Sequence, residues 1–151
     1  MSTRGSQGTD YADNYRKILL RDSGNGSAQF DERPAETIIT PGMLVQYNAN
    51  DKVVVQDTAD ATDVELLFAL EDNLQGRTID DDYAVDDLCK YCAVKSGDQV
   101  YAIASEAIAV GDRVGANGDG KVKAWVSGKQ LGFVVAIAST ADGDRVILQI
   151  I

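Results

Sequence analysis

From Thr37 to the C-terminus, short apolar runs alternate with polar residues and are broken repeatedly by Gly, Asp and Asn. That is the pattern of strands joined by tight turns. Strands are expected at Ile38–Thr40, Leu44–Tyr47, Lys52–Gln56, Leu88–Val94, Gln99–Ala104, Arg113–Ala116 and Lys121–Val126. The last pair, Leu131–Ser139 and Asp144–Ile151, flanks a turn at Ala141-Asp142-Gly143. The run Glu65–Leu70 also suits one helical face, but it is short and is followed by turn residues at Asn73–Gly76, which favours a strand. Residues 132–138 are apolar on both faces, as a central strand would be. Asp80–Tyr83 reads as a loop or a single helical turn.

Asn117-Gly118 and Asp119-Gly120 lie between two alternating runs and mark a hairpin, because both dipeptides accept the positive φ angles of tight turns. The same hairpin has an echo. Gly42, Val45, Asn48, Lys52 and Val53 match Gly111, Val114, Asn117, Lys121 and Val122 at one offset of 69 residues (111 minus 42). A second recurrence is the tetrad Gly-Asp-x-Val, at Gly97–Val100, Gly111–Val114 and Gly143–Val146. Each supplies a bend and then a β-branched residue that starts a strand. The expectation is an all-β domain, a small β-barrel assembled from similar hairpins.

Residues 1–37 differ in character. Gly, Ser, Asn, Gln and Asp dominate residues 1–14 and 21–28, and between them lies the basic-then-apolar patch Tyr15, Arg16, Lys17, Ile18, Leu19 and Leu20. We read 1–37 as an extended arm and 38–151 as the β-rich body. Deletion of residues 1–30 is then expected to leave a folded domain. The alternative is an N-terminal strand and loop packed on the chain's own domain.

Composition narrows the chemistry. The net charge is −10 and the chain has no histidine. Residues 57–87 carry eleven acidic side chains against Arg77 alone. Such a surface repels phosphate backbones, which disfavours nucleic acid. No apolar run is long enough for a helical membrane span. Without histidine, His-based triads and His-containing zinc sites are excluded. Cys89-Lys90-Tyr91-Cys92 is a lone CxxC on an expected strand, where the two thiols face opposite sides and serve as small buried hydrophobes. Asp80, Asp81, Asp82, Asp86 and Asp87 lack the spacing of an EF-hand and read as a solvated acidic loop. Asp51-Lys52 sits on a hairpin as a lipoyl lysine does, but without the neighbours such lysines keep. No phosphate loop and no nucleophile elbow are present. We expect no enzyme, no cofactor, no bound metal and no small-molecule substrate.

The order of several segments is informative. Thr40-Pro41-Gly42-Met43-Leu44-Val45 is followed by Phe68–Asp81, by Tyr83-Ala84, by Ser96–Ala102 and by the Gly111 hairpin. This order resembles the head decoration, or capsid cement, proteins of tailed bacteriophages, across roughly residues 38–151. At the bend after Tyr83-Ala84 the chain has Asp86-Asp87 where relatives tend to show Gly-Asp. The resemblance implies a β-tulip domain, commonly a homotrimer on the outer capsid surface of the virion, made in the host cytoplasm. It also implies an N-terminal arm that binds the major capsid protein and clamps neighbouring capsomers, with Tyr15, Arg16, Lys17, Ile18, Leu19 and Leu20 as its contacts. A different reading is a carbohydrate-binding or adhesive β module, for which Trp125, Tyr47, Tyr91 and Tyr101 are the available aromatic set.

Overall fold

The computed structural model describes residues 16–22 and 28–151. They form eleven strands: β1 (Leu19–Arg21), β2 (Gln29–Pro34), β3 (Leu44–Tyr47), β4 (Val53–Val55), β5 (Leu67–Ala69), β6 (Leu88–Ala93), β7 (Gln99–Ile103), β8 (Arg113–Ala116), β9 (Val122–Ala124), β10 (Gly132–Ala136) and β11 (Arg145–Ile150). One 3-10 turn spans Asn73–Gln75 and ends on Gly76 in the left-handed region, in the stretch expected to turn. The all-β class is as expected. The closed barrel is not: the strands make two open sheets, six-stranded in the order β1-β7-β11-β10-β8-β9 and five-stranded in the order β2-β6-β5-β3-β4.

Each sheet is built from one half of the chain. Strands β2 to β6 and strands β7 to β11 both run first–fifth–fourth–second–third across their sheets, and β1 is added outside β7. The repeat at offset 69 is therefore structural. Ala35 bridges Val53 and Ala104 bridges Val122, both in parallel, while Ile39 bridges Tyr83 and Ile108 bridges Ser139, both antiparallel. The Asn48 N–H donates to the Lys52 carbonyl at 3.0 Å, and the Asn117 N–H to the Lys121 carbonyl at 3.0 Å.

The Gly-Asp bends explain themselves chemically. The Asp112 N–H donates to the Ala109 carbonyl at 3.1 Å, closing a turn. Its carboxylate accepts the Ala109 N–H at 3.1 Å, satisfying the donor the turn leaves over. Asp98 and Asp144 repeat both bonds with Lys95 and Ala141. The third turn position needs positive φ, as Gly111 has at 95°. At Ala84–Asp87 the same construction holds, with Asp86 at φ 71° in the glycine's place. Asp tolerates that region better than most residues.

Burial follows the register. On the five-stranded sheet Leu44, Phe68 and Cys92 are cross-strand neighbours and enter the larger core with Val100, Val114, Val134 and Leu148. The alternate residues Val45, Leu67, Ala69, Cys89 and Tyr91 enter a second core beneath Ala35, Ile39 and Tyr83. This sheet is therefore apolar on both faces. Strand β10 is flanked by β11 and β8, as its apolar run predicted. It stops at Ala136 because the pairing with β11 slips there and Ile137 takes φ 58°. The expected strand at Ile38–Thr40 shrinks to the Ile39 bridge.

Both β1 and β2 fall within residues 1–37. β2 pairs with β6 along its whole length, and Ile18 is fully buried in the larger core. The polar composition of the flanking residues hides these short paired segments from a compositional reading.

Candidate functional site

Strands β1 and β2 are the outer strands of the two sheets on one side of the molecule. The opposite side is closed by backbone bonds, with Leu44 donating to Gly120, Gly120 to Gln56 and Asp60 to Ala116 at 2.7–3.1 Å. The β1–β2 side instead holds a groove of about 610 Å3. It is lined by the apolar Leu19, Phe30 and Leu70 and by Asp31, Glu32 and Glu71 together with Lys17 and Lys90. Phe30 is 63% exposed, unusual for a phenylalanine on a paired strand.

The hydrogen bonds around the groove fix its shape. The Ile18 N–H donates to Glu71 Oε1 at 3.1 Å, and the Tyr101 N–H donates to the Ile18 carbonyl at 2.7 Å. Arg21 Nη2 donates to the Gly97 carbonyl at 3.0 Å and to Gln149 Oε1 at 3.2 Å, holding β1 on its neighbours. Below Asp31, Arg33 Nε donates to the Tyr91 hydroxyl at 3.1 Å, and that hydroxyl donates to Asp31 Oδ2 at 3.3 Å. Burial pushes the Tyr91 pKa up, so the hydroxyl stays a donor. Lys90 pairs with Asp72 at 3.3 Å. Among the described residues, Lys17, Asp31, Glu32 and Glu71 make no ion pair.

The residues singled out by sequence are placed as follows. Arg16 and Lys17 are exposed, Ile18 is buried, and Leu19 and Leu20 are half-buried; Tyr15 lies outside the described residues. Cys89 and Cys92 are fully buried on opposite faces of β6, one in each core, and burial pushes both thiols up to about 12. At neutral pH both thiols are therefore held in the neutral form. Among the described residues, no group of three or more Cys, Asp or Glu side chains is gathered for a metal ion. In the acidic loop Asp81 accepts the Thr78 N–H, Asp86 pairs with Lys52 at 3.1 Å, and Asp87 pairs with Arg77 at 3.5 Å. Lys121 pairs with Asp142 at 2.7 Å, so both hairpin lysines are held by carboxylates. Of the aromatic set, Tyr47 and Tyr91 meet edge-on at 5.9 Å, Tyr101 is buried, and Trp125 is 38% exposed.

Sequence reasoning missed the groove and the place of Phe30 in it. Its walls come from residues as far apart as Lys17 and Tyr91, and no local pattern marks such a meeting.

The fold defines a class: an internally duplicated, two-sheet β module with a groove at one open edge. It is similar in structure to the N base of the head fiber gp8.5 of bacteriophage phi29, with a TM-score of 0.58 at 18% identity. The likeness covers 82% of this chain and 94% of that one. No protein-family model and no curated protein matches the chain.

Proposed function

We propose that the protein is a structural component of a tailed-phage virion that binds the outer surface of the capsid and reinforces it without catalysis. The observation that carries this reading is the likeness to a phage head fiber base across nearly all of that chain. It agrees with the independent sequence resemblance to head decoration proteins. In this reading the segment before and within β1 meets the major capsid protein. Arg16 and Lys17 are exposed, and Leu19 and Leu20 half-exposed, so they reach a partner while β1 stays on β7. Contact through Ile18 requires β1 to leave the sheet, because that side chain is fully buried. Tyr15 completes the contact segment. Assembly as a trimer would set three such segments on one three-fold axis, and their avidity would clamp neighbouring capsomers.

The test is co-sedimentation of the purified protein with expanded, undecorated phage heads. Saturable binding with a defined copy number is expected. Removal of residues 1–15 with Arg16→Glu and Lys17→Glu should abolish it while the far-UV spectrum is kept; unchanged binding would overturn the arm's role. A cut after residue 30 is unsuitable, since it also removes Ile18 and the start of β2.

A further inference from the structure

The groove between β1 and β2 has a chemistry of its own. A phenylalanine left 63% exposed beside Leu19 and Leu70 offers apolar contact and a ring face. Around it stand three carboxylates, Asp31, Glu32 and Glu71, that have no cationic partner among the described residues; they outnumber the two lysines of the same lining, Lys17 and Lys90, the second of which is held by Asp72. An arginine entering there would stack on Phe30 and bond those carboxylates in one position.

Two occupants fit poorly. Residues 1–15 carry Arg4 against Asp10 and Asp13, so they do not complement an acidic lining. A second copy brings the same net charge of −10. Strand addition along β2 is also obstructed. The Glu32 N–H is already taken by Asp31 Oδ1 at 2.8 Å, and Pro34 has no N–H. Along β2, recognition therefore runs through side chains.

We infer that this groove is a docking site for a basic, extended peptide segment of a partner protein, with arginines set between apolar residues. The inference rests on the capsid reading and adds to it a second, basic contact on the partner, separate from the one met by Arg16 and Lys17, yet it can be tested without a capsid.

The probe is a fluorescein-labelled peptide, Arg-Val-Arg-Val-Arg, followed by polarisation with the full chain at low salt. Saturable binding is expected, weakening as salt rises. Phe30→Ala with Glu32→Lys should weaken it by about tenfold or more, since a charge-assisted contact and a stacking contact are lost together. Both positions are exposed, so the variant keeps its fold, which far-UV circular dichroism checks. Backbone amide shifts in the wild type should map to β1, β2 and residues 70–73. Equal binding of a Glu-Val-Glu-Val-Glu peptide, undiminished binding by the variant, or shifts centred elsewhere would overturn the inference. So would self-association that buries Phe30. If the peptide binds and no matched head does, the capsid reading fails alone. If heads bind and the peptide does not, the groove inference fails alone.

Discussion

Phe68 and Phe133 occupy equivalent places in the two halves, and they should respond very differently to truncation. Phe68 lies between Leu44 and Cys92 across three strands, while Phe133 lies between Arg113 and Gln149. The first row is sealed in the larger core and Phe68 is fully buried. The second is partly open, and the Arg113 guanidinium lies 5.2 Å above the centre of the Phe133 ring. Phe68→Ala removes a fully buried ring and leaves a cavity, at a cost of about 3–5 kcal/mol. Phe133→Ala gives up about half of a side-chain transfer energy and one exposed cation–π contact, about 1–2 kcal/mol in all. With a urea slope of about 2 kcal/mol per molar, the Phe68 midpoint should fall by roughly 2 M and the Phe133 midpoint by less than about 1 M. Urea titration followed by Trp125 fluorescence and by circular dichroism measures both, and equal slopes confirm that only stability has changed. Costs within about 1 kcal/mol of each other would refute the claim that tertiary packing, not strand position, distinguishes the halves.

Three further outcomes follow from the same structure. Both thiols are raised from 9.0 to about 12 by burial, so the neutral forms are favoured in the folded state. Their contribution is complete below pH 9 and is lost as pH rises toward 12; alkylation at pH 8 should therefore be negligible until urea unfolds the chain, and rapid labelling of native protein would contradict this. The Asp144 carboxylate accepts bonds from the Thr140 N–H, the Thr140 hydroxyl and the Ala141 N–H, which lower its pKa. Its contribution is present above the ordinary carboxylate range and lost as pH falls through the depressed value, so Asp144→Asn should flatten the acid limb of a stability–pH profile. At Gly132 an added Cβ would overlap the Gln149 carbonyl oxygen of the neighbouring strand. Gly132→Ala should lower the thermal midpoint by roughly 5–10 °C in calorimetry, and an unchanged midpoint would show that β10 and β11 can part without cost.

How much of this was legible beforehand depends on the range of the interactions. Turns are local: Asn117-Gly118, Pro41-Gly42 and the Gly-Asp tetrads form bonds within three or four residues, so their chemistry can be read directly along the chain. Period-two alternation likewise revealed nearly every strand of the body, and the offset of 69 residues revealed the repeated hairpin. The opposite faces of Cys89 and Cys92 followed from strand geometry alone.

Other features had no local signature. β1 is three residues long and gains its place from Ile18, whose burial depends on Glu71 and Tyr101, more than fifty residues away in each case. Alternation could not say whether the sheets close, because closure is decided by which edge strands meet. Gln56–Ala61 and Gly120 join one pair of edges by backbone bonds, while β1 and β2 stay apart and leave the groove. The duplicated rows make the point most directly. Leu44, Phe68 and Cys92 are covered, whereas Arg113, Phe133 and Gln149 at the same places are not. Strand and turn were set by neighbours in the chain, but what each sheet face covers was set only when the two halves packed together.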